Sequence, residues 1–399
     1  MSRNNILLLL LVLATSCDKM DITSLQAESF VKYYNTFPIF SGADAKQTAE
    51  SGYAAVGTVE SYASGTQICL LRTDENGNLL DSARYYGRSL NDKAYCLQVL
   101  DDGGLAILGS SQNPETSKNE VYFLRTNSVG DTLWSKILAE TDNVEATHFE
   151  VSPNGSFYLI GYAYTDKFGP LNKDIWLFGF DSEGNNFPTW GSPRIIGGAK
   201  EDQGTHLQLL ANGSIVITGF TRSNSTETLY SQSFIIICNS SGFPSSPAYS
   251  SNPWNEQVNC IRVLGTNSYL IAGTSNKQSA SNTDIMLKKV TLSGTTIQVV
   301  WEKYFGGTGN DFGAFSQIKD NTIYLLATEA TVDNSSITVI TTNMEGANEK
   351  HFYFGENSQL TAGTLNVTDD NGFIITGTNK HSESNVSLAL IKTRSDVSL

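Results

Sequence analysis

Apolar runs that close on a glycine or another small residue recur along the chain: YAAVG at 53–57, LAILG at 105–109, FYLIG at 157–161, IVITG at 215–219, YLIAG at 269–273, IYLLA at 323–327 and FIITG at 373–377. Measured from the last residue of each, the spacings are 52, 52, 58, 54, 54 and 50. A strand-like unit repeated at this period predicts a β-propeller. The copy at 267–307 shows the unit in full: NSYLIAGTS, a polar loop, DIMLKKV, the turn TLSGT and VVWEKYFGG. A further segment precedes each run, as in CLQVL at 96–100, HFEVS at 148–152, HLQLL at 206–210 and CIRVL at 260–264. These segments alternate apolar and polar residues, as a half-buried strand does, whereas the second and third segments are almost continuously apolar and predict strands covered on both faces.

The glycine that ends six of the seven runs, with Ala327 in its place in the sixth copy, is expected to let the inner strands of adjacent blades approach closely, because it lacks a Cβ. Asp74-Glu75-Asn76-Gly77, Asp181-Ser182-Glu183-Gly184 and Ser293-Gly294 read as hairpin turns, with Gly accepting positive φ and Asp capping amides. None is followed by the liganding Glu of a calcium loop. Trp134 and Trp301 open the fourth strand, and aromatics such as Tyr86 and Phe305 close it; they are expected to pack between blades. Asp92, Asp202 and Asp311 recur at a strand entrance and are expected to tie down their own loops, with an acidic rim as the other reading.

The last copy ends at LALIKTRSDVSL without a fourth strand. Phe30-Val31-Lys32-Tyr33-Tyr34 matches Trp301-Glu302-Lys303-Tyr304-Phe305 in pattern, so the start of the chain is expected to pair with the strand containing Leu388 to Lys392. The expected fold is therefore all-β: a seven-bladed β-propeller of four-stranded antiparallel blades over residues 30–399, the last blade closed by the N-terminal strand, with no second domain.

Residues 1–16 carry Arg3, an aliphatic run from Ile6 to Ala14 and small residues before Cys17. This is a secretory signal too short to be kept as a membrane span. The segment resembles a bacterial lipoprotein signal, which implies lipidation of Cys17 and a tether over 17–29; the Ser-Cys-Asp-Lys ending is similar to lipoproteins of Bacteroidota. Leu13 stands one place off the commonest pattern of that signal. A net charge of −14 disfavours nucleic acid and anionic membrane surfaces as partners.

Cys96, His148, His206 and Cys260 occupy equivalent places on four consecutive first strands. Equivalent residues spaced around a wide channel are not expected to converge on one ion, so no metal and no cofactor is expected. Pairing of Cys69 with Cys96, or of Cys238 with Cys260, between blades stays open.

The composite unit, apolar-Gly-Thr, Asp-Ile-x-Leu, a glycine turn and Trp-x-Lys-x-Tyr-x-Gly-Gly, resembles the propeller repeats of surface lipoproteins of Bacteroidota. That resemblance implies a binding or scaffolding role beside outer-membrane transporters or secretion machinery, with the protein lipid-anchored in the outer membrane at the cell surface. Ser82 in Asp81-Ser82-Ala83 and Thr132 in Asp131-Thr132-Leu133 resemble the O-glycosylation acceptors of that phylum. The four histidines, with no Gly-x-Ser-x-Gly elbow and no HExxH, offer no starting point for a hydrolase. The longest loops at blades three to five carry Tyr162, Tyr164, Phe168, Arg222, Tyr230, Tyr249 and Trp254, a candidate rim for a ligand or partner. The expectation is a non-catalytic protein-binding module in an outer-membrane protein complex; a glycan-binding lipoprotein is the alternative, and an enzyme the less favoured one.

Overall fold

The computed structural model describes residues 29–35, 37–61, 65–88, 90–140, 142–224, 230–355 and 358–399. The signal segment, Cys17 and nearly all of the tether lie outside the described residues. Every regular element described is a strand. Five sheets have four antiparallel strands each, and a sixth has eight. Together they make a propeller-like arrangement.

The first sheet shows the plan: Phe40–Gln47, Tyr53–Ser61, Gly65–Thr73 and Arg84–Tyr86 pair in chain order. The eight-stranded sheet holds two such runs, meeting where their fourth strands touch. The fourth strand of its first run, Ala248–Tyr249, is only two residues long, and Tyr249 pairs in parallel with Thr296 of the neighbouring run. Residue composition explains the order within a run. Second and third strands such as Leu105–Gln112 and Gln232–Cys238 are buried almost throughout, whereas the outer strand Thr132–Leu138 alternates half-buried and exposed positions.

Each first strand carries an irregularity of register near its start, for example between Gly42 and Asp44, Ala94 and Cys96, or Ala146 and His148, and Glu256–Gly265 has a second between Val263 and Gly265. This bulge corrects the expectation for the marker glycines. A Cβ on Gly57, Gly161, Gly219 or Gly273 would run into the backbone carbonyl of Ser41, Glu145, Gln203 or Gln257, each on the first strand of the same sheet. The close approach is therefore mainly within a sheet, because the bulge swings that carbonyl toward its second strand. Contact between sheets is made one residue further in, where a Cβ on Gly42 or Gly313 would strike the carbonyl of Gly377 or Gly273 in the preceding sheet.

The aromatics of the fourth strand pack between sheets, as expected. Trp134 lies against Gly184 and Trp301 against Gly346, and Trp190, in the turn before the fourth strand Arg194–Ile196, lies against Gly242; Trp301 Nε1 also donates to the Met344 carbonyl at 3.2 Å. Each of these glycines has positive φ in a turn whose first residue caps the amides that follow. Asp74, for instance, accepts from Asn76 N at 2.9 Å and Asn78 N at 2.7 Å, so its carboxylate is committed to the turn.

The two ends of the chain share one sheet. Phe30–Tyr34 pairs with Asn385–Thr393 in the register Phe30 to Lys392 and Tyr34 to Leu388. Tyr34 hydroxyl then donates to the Gly77 carbonyl at 2.6 Å, repeating in the first sheet the aromatic-on-turn contact made elsewhere. Gly42 N donates to Thr378 Oγ1 at 3.0 Å from the other side of the same seam.

Candidate functional site

Within the ring lies a cavity of about 320 Å³ lined by the first strand of every four-strand run. Its position follows from the bulge: the residues after it point inward in two tiers. The upper tier includes Asp44, Cys96, His148, His206, Phe315 and Thr364, and the lower tier Lys46, Gln98, Glu150, Arg262, Gln317 and Asn366. The lower tier continues into an open depression that also borders Gln47 and Asp369. That mouth is on the face bearing the hairpins between first and second strands.

One part of the wall is a closed network. Asp44 accepts from Leu97 N at 2.9 Å, from Thr364 Oγ1 at 2.5 Å and from Asn366 Nδ2 at 3.2 Å, with Lys46 Nζ at 3.6 Å. Lys46 itself donates to Asn366 Oδ1 at 2.5 Å. The other part is different. His148 and His206 stack with ring centroids 3.9 Å apart and planes inclined by 18°. His206 is 1% exposed, and neither of its ring nitrogens has a hydrogen-bond partner. His148 Nδ1 accepts only the Leu207 amide, at 3.5 Å. Below them Glu150 accepts from Leu209 N at 2.7 Å.

Burial controls the protonation of these groups, because it disfavours the charged form. The imidazole of His148 is pushed down to about 3, by burial first and then by Arg262 and Lys46. His206 is held well below its ordinary value by burial, His148 and the same two cations. Glu150 is pushed up to about 7 by burial, against the pull of the Leu209 amide, Arg262 and Lys46. The Cys96 thiol is raised by burial and by Asp44, so it is kept protonated and is no nucleophile. At neutral pH this wall therefore offers two uncharged imidazoles, a carboxyl near its midpoint and a cation.

The stack also bears on metal binding. Nearly parallel imidazole planes cannot both direct a nitrogen lone pair at one ion lying in the plane of each. Cys260 sits in a hydrophobic cluster away from the cavity, and among the described residues no group of three or more His, Cys, Asp or Glu is placed to hold a metal. The disulfides left open from sequence are not formed: Cys69, Cys96, Cys238 and Cys260 are all free and buried.

The residues of the aromatic rim expected from sequence have unlike local surroundings. Tyr162 and Tyr164 lie 6.2 Å apart, with Lys173 Nζ 4.4 Å from the Tyr162 ring. Arg222 reaches this cluster through Glu201, which also pairs with Lys173 at 3.5 Å. Phe168 is exposed under its own Lys167. Tyr230 is exposed at the end of a loop whose residues 225–229 are outside the described part. Four members are corrected, of which Tyr162 and Tyr164 lie in the strand Phe157–Thr165 and not in a loop. Tyr249 is a strand residue packed at the edge of the largest core cluster, because the shortened fourth strand places it there. Trp254 donates to Glu256 Oε1 at 2.9 Å beneath Lys277, so its indole braces the buried Glu256–Lys288 pair.

Asp92, Asp202 and Asp311 do not form an acidic rim. They are buried and accept the amides of Arg88, Gly198 and Gly307 at 2.9, 2.7 and 2.8 Å, tying down the loops that enter their strands. Ser82 and Thr132 are both exposed.

Sequence reasoning missed the lower tier of the cavity. Its signal was present, since the third letters of CLQVL, HFEVS, HLQLL and CIRVL are Gln, Glu, Gln and Arg. They stand two places beyond the Cys/His series and so share its face of the strand.

No family model matches the chain. Among curated proteins it is 27% identical over 173 residues to the regulatory protein FlaEY of Caulobacter vibrioides, covering 39% of this chain and 18% of that relative's length. Among solved structures, YCF48 from Cyanidioschyzon merolae matches at a TM-score of 0.52 and 10% identity, over 92% of this chain and 99% of that one. A protein of unknown function from Dyadobacter fermentans matches at 0.48 and 10% identity, over 92% and 97%. The acylaminoacyl peptidase of Pyrococcus horikoshii matches at 0.46 and 11% identity, over 90% of this chain but 52% of its own. At such identities the YCF48 likeness concerns the fold alone, and that fold is the propeller-like arrangement of four-stranded antiparallel sheets.

Proposed function

We propose that this chain is a non-catalytic binding module: a seven-bladed β-propeller, counting the eight-stranded sheet as two blades, that docks a protein partner at the mouth of its central cavity. The observation that carries this reading is the cavity itself, a polar recess to which every first strand contributes and one wall of which holds a buried imidazole, His206, with both ring nitrogens unpartnered. Buried polar groups are ordinarily satisfied, so a wall of this kind is poised for a ligand or an inserted side chain. Another form of YCF48 with the same likeness was solved with a D1 peptide bound, a use of this architecture consistent with the reading. We place the module at the outer membrane, held by lipid on Cys17 beside a transporter or secretion complex. In that setting exposed Ser82 and Thr132 serve as O-glycan acceptors, which intact mass of the native protein would reveal.

Glycan capture is the weaker reading. Sugar rings stack on open aromatic faces, whereas Tyr162 lies under Lys173 and Trp254 under Lys277. The test is affinity purification of the tagged full chain from native membranes. An outer-membrane protein should copurify in defined ratio and be lost with Gln98→Arg and Gln317→Arg at the mouth; recovery of the chain alone would sink the docking model.

A further inference from the structure

Arg262 is the cation in the cavity that makes no ion pair among the described residues, although the Glu150 carboxyl on the same wall feels its charge. Among the described residues no carboxylate lies within 4 Å of it, whereas Lys46 on the other side has Asp44. Its guanidinium is nevertheless held in place. Nε donates to the Ser316 carbonyl at 2.8 Å, Nη1 approaches the Ile261 carbonyl at 3.4 Å, and the group lies 4.7 Å over the Phe315 ring. Two of its five N–H donors are thereby used and the rest remain available.

His206 lies against the same Phe315 ring; it is buried, with both ring nitrogens unpartnered, and lines the same cavity. A fixed, half-buried guanidinium next to an unpartnered imidazole donor is a built anion site. Asp44 and Glu150 on the same walls oppose a dianion, and the planar fork of Arg matches a planar acceptor.

We propose that the central cavity binds a carboxylate group, gripped by Arg262 and His206 and steered by Lys46 at the mouth. The site rests on the docking reading only for the source of that carboxylate, either an acidic side chain of a protein partner or a small free acid. Its chemistry is the same for both. Gln98 and Gln317 in the lower tier are placed to hydrogen-bond whatever carries the group.

The test is titration of the full-length chain in detergent with sodium acetate, followed by thermal shift and calorimetry, against sodium chloride at equal ionic strength. Acetate is expected to raise Tm and chloride to leave it unchanged. Arg262→Gln should weaken acetate binding roughly tenfold or more. Arg262→Lys, which keeps the charge and loses the fork, should weaken it less and guards against misfolding of the first variant. A short peptide containing one Glu, compared with its Gln twin, separates the sources: tighter binding than acetate assigns a protein carboxylate, and binding no tighter assigns a small acid. Equal shifts with chloride, or an unchanged acetate response in both Arg262 variants, would overturn the site. The two readings fail separately. Acetate binding without any copurified partner removes docking alone, and a partner retained by native and Arg262→Gln chains with no acetate response removes the carboxylate site alone.

Discussion

The cavity has two unlike walls. Where the first and last sheets meet, Asp44, Lys46, Thr364 and Asn366 form a network in which the polar groups satisfy one another. Across the ring, His148, His206, Glu150 and Arg262 face the same space with few partners. The difference follows the covalent chain. The first wall is the seam where nothing but non-covalent contact joins the two ends of the ring, so its polar groups are used as a latch. The second wall lies in the middle of the chain, where the connections already hold neighbouring sheets, and its side chains are left with few partners.

The seam offers the largest effects. A chain starting at residue 36 lacks Phe30–Tyr34, its pairing with Asn385–Thr393, and the Tyr34 contact on Gly77. Lost strand hydrogen bonds and apolar burial together should cost on the order of 4 kcal/mol or more, read as a lower urea midpoint than that of a chain starting at residue 29. Equal midpoints would show that the seam is held by other contacts. Asp44→Ala should follow at about 2–4 kcal/mol, because it strands the Leu97 amide, Thr364 and Lys46 in a buried setting. A loss below about 1 kcal/mol would erase the distinction between the walls.

Much of this was legible in the sequence. Apolar runs ending in Gly mark the second strand because only a small residue tolerates the carbonyl thrown toward it by the bulge, and the match of Phe30–Tyr34 to the fourth strand of a complete copy gave the ring closure. The bulge was not legible, since an extra residue in an alternating strand leaves no compositional trace in Ala43, Tyr95 or Thr147. It decides which side chains line the cavity. The two histidines were read as separated around a channel, yet adjacent first strands lie close enough for their rings to stack. Tyr249 was read as a loop residue because a strand of two residues has no periodicity to detect.

Protonation should divide the walls next. Glu150 is raised from an ordinary value of 4.5 to about 7. The unfolded chain thus loses its proton first, and this group lowers stability as pH climbs through that window. The imidazoles act oppositely, their depressed values costing stability as pH falls below 6.5. Comparing Glu150→Gln with the native chain at each pH isolates the carboxyl. The variant should equal the native chain near pH 4 and exceed it by about 1–2 kcal/mol at pH 8, followed by urea unfolding. An advantage that is the same at both pH values would mean that Glu150 does not titrate in this window.

The smallest effect is expected where an unaided count of buried polar groups would predict a large one. His206→Leu removes a side chain that is 1% exposed and sits against His148 and Phe315. It removes no hydrogen bond, because both ring nitrogens lack partners, and it replaces a neutral polar ring with an apolar group of similar bulk. Desolvating an unsatisfied imidazole already works against the fold, so its loss offsets the lost stacking. The urea midpoint should correspond to a change within about 1 kcal/mol in either direction, while acetate binding falls several-fold. A loss of about 3 kcal/mol or more, comparable to that of Asp44→Ala, would make this wall structural as well and leave the cavity without a side reserved for recognition.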